Sequence, residues 1–125
     1  MNSTKTHRDL DVWKISMEFV IDLYRITEEF PPSEKFGLVT QIRRSAVSIC
    51  SNIAEGAGRF HTKEYVQFLY ISLGSVAEIE TQLEIALRLE YLNSTDLEKE
   101  KLDRIRKMLI GLIKHILGKN VNKHS

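Results

Sequence analysis

The sequence contains few of the residues that build disulfide-stabilised or metal-binding proteins. It has one cysteine, two prolines and one tryptophan in 125 residues, and its net charge is +1. A single thiol, Cys50, excludes an internal disulfide and leaves no second thiolate for a zinc site, so we expect a small core residue there. No apolar run reaches the ~20 residues of a transmembrane helix, and the polar residues 1–8 do not resemble a secretory signal. We therefore expect a cytoplasmic protein without a membrane contact.

What is present is typical of one soluble domain. Hydrophobic residues make up 42% and charged residues 28% of the chain, which excludes a disordered or collagen-like protein. A chain of this length buries a single core. We expect one domain over residues 1–125, with residues 1–8 and 119–125 flexible because they show no periodicity.

Helical periodicity predicts four helices and no strand. The first begins near Asp9 or Asp11, where a carboxylate can cap it, and Pro31 and Pro32 end it. The second follows a Ser33 cap, runs from about Glu34 to Glu55, and is stopped by left-handed backbone at Gly56-Ala57-Gly58. The third follows a Thr62 cap and continues through Leu92. The fourth starts at a capping box of Thr95 and Glu98 and closes at Gly118.

Short connections between the helices favour an all-α, antiparallel up-down-up-down four-helix bundle. Apolar residues at steps of three and four predict the core stripes. The second helix contributes Ile42, Ala46, Ile49 and Ile53, and the fourth contributes Leu102, Ile105, Leu109, Leu112 and Ile116, flanked by Leu97, Met108 and Ile113. The first helix has a wider apolar arc than one core contact needs, which indicates that part of it lies in a subunit interface.

A polar stripe on the second helix predicts a structural network. Its residues follow one another at steps of four, three, four and three: Gln41, Ser45, Ser48, Asn52 and Glu55. Part of this line is expected to meet the third helix, with Arg44 pairing there with a glutamate such as Glu78, since a buried polar group needs a partner. An ordinary solvated polar side is the alternative. In the third helix, Gly74-Ser75 indicates a close crossing or a local bend.

No catalytic or metal-binding constellation is evident. The four histidines His7, His61, His115 and His124 do not stand at helical spacing from one another. The serines of the second helix have no nearby histidine base. We expect no cofactor, no metal and no enzyme activity.

The distribution of charge is more informative than its sum. Residues 94–125 contain eight basic and four acidic groups, whereas residues 62–93 contain two and five. No acid follows Asp103. A basic surface of this kind can neutralise nucleic-acid phosphates, and the candidate residues are Arg43, Arg59, Lys63, Arg104, Lys107 and Lys114. The alternative is that these charges are solvated or paired with nearby acids.

The most specific sequence feature is the run from Ser48 to Gly56, within Gln41 to Gly58. Together with Asp9 to Trp13, Gly74-Ser75 and Glu78 to Glu80, it resembles the small four-helix proteins encoded in intervening sequences of bacterial 23S rRNA genes. The resemblance spans about Leu10 to Leu117. Many of those proteins have proline at the position of Cys50, so the second helix is expected to be straighter here.

This resemblance implies a homo-oligomer, with five as the expected number of subunits. It also implies a relation to accessory proteins that help reverse transcriptases in diversity-generating retroelements and bind nucleic acid through a basic surface. Our leading hypothesis is a non-enzymatic, oligomeric scaffold that binds RNA or DNA, with a reverse transcriptase or another protein as a further partner. The alternatives are a protein-interaction scaffold that binds no nucleic acid, and a small-ligand bundle with a pocket at the polar stripe.

Overall fold

The computed structural model describes residues 6–124, and the side chains of residues 6–118. These residues form four α-helices and two short 3-10 helices, without a strand. The helices are α1 (Asp11–Thr27), α2 (Leu38–Ala57), α3 (Thr62–Arg88) and α4 (Asp96–His124), and the 3-10 helices are His7–Asp9 and Pro32–Glu34. The prediction of an all-α protein with four helices is confirmed.

The four helices occupy the corners of a square. Each packs against its neighbour in the chain, and α1 also packs against α4. Within the described residues no comparable contact joins α1 to α3 or α2 to α4. The outer sides of α1 and α3 therefore face opposite sides of the molecule.

The predicted core stripes lie in the centre of the square. The four predicted core residues of α2 are each at most 1% exposed, and Leu102, Ile105 and Leu109 of α4 are fully buried. Further along α4, Ile113 is buried whereas Leu112 and Ile116 are only half-buried. At the start of α4, Leu97 is exposed. The core stripe of α4 is therefore shifted slightly from the predicted one at its C-terminal half.

The start of α2 was predicted wrongly. Pro32–Glu34 forms a 3-10 helix, and α2 begins at Leu38 instead of Glu34, with Gly37 rather than Ser33 at the cap position. The Glu34 carboxylate accepts hydrogen bonds from the Leu38 backbone N–H at 3.1 Å and from the Tyr91 hydroxyl at 2.8 Å. This carboxylate raises the pKa of Tyr91, and the hydrogen bond that it accepts from the Tyr91 hydroxyl is the largest cause. The α1–α2 and α3–α4 connections thus meet at one end of the molecule.

The end of α2 also differs from prediction. Gly56 lies inside α2, and no described glycine has a positive φ, so left-handed backbone does not stop this helix. Gly56 is buried against Tyr65 and Phe68 of α3, where its missing side chain allows close packing. The cap position of α3 is His61 and not Thr62, and the His61 side chain makes no capping hydrogen bond.

The other helix ends show three further corrections. Helix α3 ends at Arg88 rather than Leu92, and Glu90 follows it with a left-handed φ of 63°. The backbone N–H of Tyr91 then donates to the Ala86 carbonyl at 2.9 Å, which closes the helix as a Schellman turn. The hydroxyl of Thr95 is buried without a hydrogen-bond partner, so the predicted capping box is absent. Helix α4 does not close at Gly118 but continues to His124.

The flexibility expected of residues 1–8 and 119–125 stays a prediction, although part of each segment is helical. Thr6 and Asp9 form a capping box around His7–Asp9, whereas α1 begins after Leu10 without a side-chain cap. Residues 1–5 and 125 lie outside the described residues.

Candidate nucleic-acid-binding surface

A set of small polar side chains joins α2 to α3 inside the molecule. Ser75 donates to the Ser48 hydroxyl at 2.8 Å, and the Gln82 side-chain amide donates to the Ser45 hydroxyl at 3.1 Å. Ser72 donates to a backbone carbonyl of α2, that of Ile49, at 2.9 Å. These three donors each have an acceptor on α2, and the pairs fix the relative register of α2 and α3, whereas the Oε1 of Gln82 is buried without a partner.

The predicted polar network is only partly present in this contact. Ser48 and Asn52 belong to it, since the Asn52 amide donates to the Ser48 hydroxyl at 3.0 Å. Gln41, Arg44 and Glu78 are exposed, and Glu55 instead accepts from Arg59 at 2.9 Å. The predicted Arg44–glutamate pair is therefore wrong.

Ser72 and Gln82 were missing from the predicted network, although their positions carry a detectable signal. Both stand at helical spacing within the buried stripe of α3 that includes Leu69, Val76 and Ile79. Polar side chains on such a stripe require partners on the neighbouring helix. The predicted network followed the polar side of α2, which is largely solvent-exposed here.

Arg43, and not Arg44, has the structural role among the two arginines, and its contacts go to α1 instead of α3. Its Nε donates to the Thr27 hydroxyl at 3.0 Å, and its Nη2 donates to the Tyr24 carbonyl at 3.1 Å. The guanidinium also lies 4.4 Å from the centre of the Tyr24 ring. Arg43 thus joins α2 to the C-terminal end of α1 through two of its five N–H groups, a structural role that the prediction of a solvent- or partner-facing side chain did not include.

The α2–α3 connection carries two of the predicted basic residues and an exposed ring. Arg59 pairs with Glu55 and lies 4.8 Å from the centre of the Phe68 ring, which holds it in place. Lys63, in the first turn of α3, is exposed and forms no salt bridge within the described residues. Between them, Phe60 is 98% exposed.

The outer face of α4 carries the other three candidates. Arg104, Lys107 and Lys114 are exposed and lie on the side of α4 that faces away from Leu102 and Leu109. Lys107 contacts Asp103 at 3.2 Å. The hydrogen bond between them is the largest cause of the lowered pKa of Asp103. Arg104 and Lys114 form no salt bridge within the residues that the structure describes. The six candidates thus fall into three places, of which only the α2–α3 connection and the α4 face leave their charges accessible.

Two other basic residues of α4 have structural roles. Arg106 bonds Glu80 of α3 as well as Asp103, and the hydrogen bond to Glu80 raises the pKa of Arg106. Lys101 donates to Asp22 of α1 at 2.6 Å. These pairs hold α4 against both of its neighbours, so the basic charge of α4 is divided between internal pairs and the outer face.

Two apolar surfaces lie on opposite corners of the square. The α1 patch consists of Met17, Ile21 and Tyr24, all exposed, and Tyr24 lines a groove together with Val47 of α2. The α3 face consists of exposed residues at steps of four, three, four and four: Tyr70, Gly74, Ala77, Thr81 and Ile85. A Cβ added at Gly74 would contact nothing within 4 Å. The close crossing predicted at Gly74 is therefore not made inside the subunit, and α3 continues through it as one helix.

The described residues offer little for redox or metal chemistry. No group of three or more histidine, cysteine, aspartate or glutamate residues among them is placed to hold a metal ion. Burial is the largest cause that raises the pKa of the Cys50 thiol to about 11. The thiol is therefore protonated and unreactive at neutral pH. Within the helices described, no segment combines the length and apolarity needed to cross a bilayer.

Comparison with known proteins identifies the family. The sequence model of the 23S rRNA-intervening sequence protein family matches residues 8–111. A crystal structure of a protein of unknown function from the S23 ribosomal protein family of Bacteroides thetaiotaomicron is similar, with 30% identity and a TM-score of 0.70. The match covers 82% of this chain and 98% of that one. No curated protein matches. The chain therefore belongs to the 23S rRNA-intervening sequence protein family.

Proposed function

We propose that this protein is a non-enzymatic, homo-oligomeric scaffold that binds RNA or DNA through the outer face of α4. The observation that carries the proposal is the exposure of Arg104, Lys107 and Lys114 on one side of a helix that has no acid after Asp103. The three residues span about 15 Å of helix, which matches several successive phosphates of a nucleic-acid strand. We expect the protein to act in the cytoplasm, with a reverse transcriptase or another protein as a further partner.

The proposed subunit is an antiparallel up-down-up-down bundle. The α2–α3 pairs support this arrangement, because Ser45 pairs with Gln82 whereas Ser48, further along α2, pairs with Ser75, earlier on α3. The α3–α4 salt bridges follow the same reversed order, with Glu84 near Lys99 and Glu80 on Arg106. Helix α4 therefore runs back toward the α2–α3 connection as it passes Lys114.

The proposed assembly uses the α1 patch and the α3 face. A closed ring needs two different surfaces on each subunit, since every subunit meets its neighbours head to tail. The α1 patch and the α3 face satisfy this requirement, because they differ from each other and lie on opposite corners of the square. Gly74 would let a neighbouring helix approach α3 closely. Five subunits is the number that the family resemblance implies.

Assembly also explains how so modest a charge can bind nucleic acid. One subunit has a net charge of +1, and three exposed cations contribute only weak affinity at physiological salt. A ring repeats the α4 face in each subunit. Once one subunit has bound a strand, the α4 faces of the other subunits meet the same strand at a high effective concentration. The ring therefore binds more tightly than one subunit, although each subunit makes the same contacts.

The binding test measures fluorescence anisotropy of a labelled structured RNA over a range of salt concentrations. The variant carries Arg104→Glu, Lys107→Glu and Lys114→Glu. Binding should weaken across sequences, and the dependence of log K on log salt should flatten by about one unit for each lost phosphate contact. Stability should change by less than about 0.5 kcal/mol per site, since all three side chains are exposed.

A matched control places the same charge change at the other end of the molecule. It carries Lys35→Glu, Arg88→Glu and Lys99→Glu, which are exposed and lie close to the α1–α2 and α3–α4 connections. This variant should retain most of the affinity if binding is localised at Arg104, Lys107 and Lys114. Equal losses of affinity in both variants would mean that binding depends on the net charge of the protein and not on the position of the basic residues. Absence of binding by the wild type at about 50 mM salt would refute the nucleic-acid function and favour the protein-interaction scaffold.

The assembly test measures mass in solution by light scattering. The wild type should exceed the subunit mass of 14.5 kDa, whereas Ile21→Asp on the α1 patch and Gly74→Leu on the α3 face should each yield monomers with normal helicity. Leu97→Asp, an apolar-to-acid change at an exposed site outside both surfaces, is the control and should remain assembled. A monomeric wild type at micromolar concentration would refute the assembly.

A further inference from the structure

The α2–α3 connection exposes a phenylalanine almost completely. Phe60 is 98% exposed, and its described aromatic contact is an edge-on one with His61, with ring centres 5.8 Å apart. Single exposed apolar residues are common in soluble proteins. This one differs in its surroundings, because Arg59, His61 and Lys63 are all exposed around it.

We propose that Phe60 is a stacking platform for an unpaired base of a single-stranded nucleic acid, with the flanking phosphates held by Arg59 and Lys63. This inference rests on the proposed function and adds a second contact to the α4 face. It also assigns the ligand class, because a platform of this kind binds unpaired bases and not the interior of a duplex.

The ring is suited to stacking because both of its faces are accessible. Every base has a π-face, so stacking on an aromatic side chain tolerates different sequences. The two cations differ in how they are held. Glu55 and the Phe68 ring fix Arg59, whereas Lys63 forms no salt bridge within the described residues and can follow a phosphate. Glu64 is the nearest acid in sequence without a described salt bridge, and it lies beyond Lys63 in the first turn of α3.

The charge of α4 favours a nucleic acid at this end of the molecule. Helix α4 runs toward the connection past Arg106, and its described residues beyond Asp103 carry only basic charges. The opposite end carries the acids of the other two connections, among them Glu28, Glu34, Glu90 and Asp96. That end also has an exposed phenylalanine, Phe36, which is 88% exposed. Phe36 therefore provides an internal control: Lys35 lies 5.5 Å from the centre of its ring, but residues 28–36 and 88–99 contain six acidic and only three basic groups.

The test compares two labelled strands of about 12 nucleotides, within the site size of single-strand binders. One is oligouridylate, and the other has the same phosphates and sugars without bases. Fluorescence anisotropy of each is measured with the wild type, Phe60→Ala, Phe60→Trp and Phe36→Ala. Phe60→Ala should weaken oligouridylate binding by about 5- to 150-fold, the range expected for one base stacked on an aromatic ring. Phe60→Ala should not change the affinity for the abasic strand or the dependence of affinity on salt concentration. Phe60→Trp should retain binding, and Phe36→Ala should behave as the wild type.

The outcomes separate this inference from the proposed function. If the wild type binds both strands equally, or if Phe60→Ala binds oligouridylate as the wild type does, the platform is refuted while the α4 contact stands. Equal losses for Phe60→Ala and Phe36→Ala would also overturn it, because the effect would not be specific to the basic end. If the wild type binds no RNA, structured or single-stranded, at about 50 mM salt, the proposed function itself fails. Folding should not complicate the result, because both phenylalanines are exposed.

Discussion

Replacing Gly56 with alanine tests how closely α2 and α3 pack. A Cβ at Gly56 would lie 2.9 Å from Cδ1 of Tyr65, 3.0 Å from Cβ of Phe68 and 3.1 Å from the Tyr65 carbonyl oxygen. The last two atoms are fixed to the backbone of α3, so the helices must separate. Overpacking of this kind costs about 1–3 kcal/mol. Alanine gains about 1 kcal/mol over glycine inside a helix. We expect a net loss of up to about 2 kcal/mol.

Gly111→Ala is the matched control. A Cβ added at Gly111 would contact nothing within 4 Å, so only the helix preference remains and stability should rise by up to about 1 kcal/mol. Urea unfolding followed by circular dichroism, at one protein concentration, measures both variants. With a typical slope of about 1–3 kcal/mol per molar urea, 1 kcal/mol shifts the midpoint by about 0.3–1 M. The two variants should move in opposite directions.

A third variant distinguishes close packing from a left-handed helix cap. Asparagine tolerates left-handed backbone, so Gly56→Asn would be mild if Gly56 capped α2. If packing decides, Gly56→Asn should be worse than Gly56→Ala because its side chain is larger. A Gly56→Ala protein stabilised as much as Gly111→Ala would refute the close contact.

Three further predictions concern the core, α1–α2 packing and pH. Leu109→Ala and Ile49→Ala should each lose about 2–5 kcal/mol in urea unfolding, because both residues are at most 1% exposed and would leave cavities. Arg43→Ala should lose about 1–2 kcal/mol through its bonds to α1, whereas Arg44→Ala should change stability by less than about 0.5 kcal/mol. Burial raises the pKa of Cys50 to about 11, above the ~8.5 of an exposed thiol. The folded state therefore retains the proton, and its contribution to stability is lost as the pH rises from about 8.5 toward 11. Cys50→Ala should show a flatter decline over that range, and an unchanged decline would contradict the burial argument.

Local pattern was enough to predict the helices and most of the core. Apolar residues at helical spacing can be buried only on one side of a helix, so Ile49 and Leu109 follow from the sequence alone. Helix ends were less predictable because several groups compete for each end. Ser33 and Thr95 are good capping residues, yet Glu34 bonds the first turn of α2 and the Thr95 hydroxyl is buried without a partner.

The candidate site was predictable in residue type but not in arrangement. The basic run after Asp103 indicated the α4 face, and the family was identifiable from the run Ser48 to Gly56. Neighbouring residues of a helix point about 100° apart, so Arg43 and Arg44 can exchange roles with a small change in helix orientation. The sequence cannot fix that orientation, since it depends on how α1 and α3 pack against α2.

The sequence by itself therefore determined the helical class, the core stripes, the family and the sign of the charge on α4, because each depends on residue type and spacing along one helix. Only the tertiary structure decided that Arg43 binds α1, that Gly56 serves close packing, and that Gly74 and Phe60 remain open on the surface. These outcomes depend on which side chains of one helix are buried by a neighbouring helix. That burial is decided by contacts between residues that are far apart in the chain.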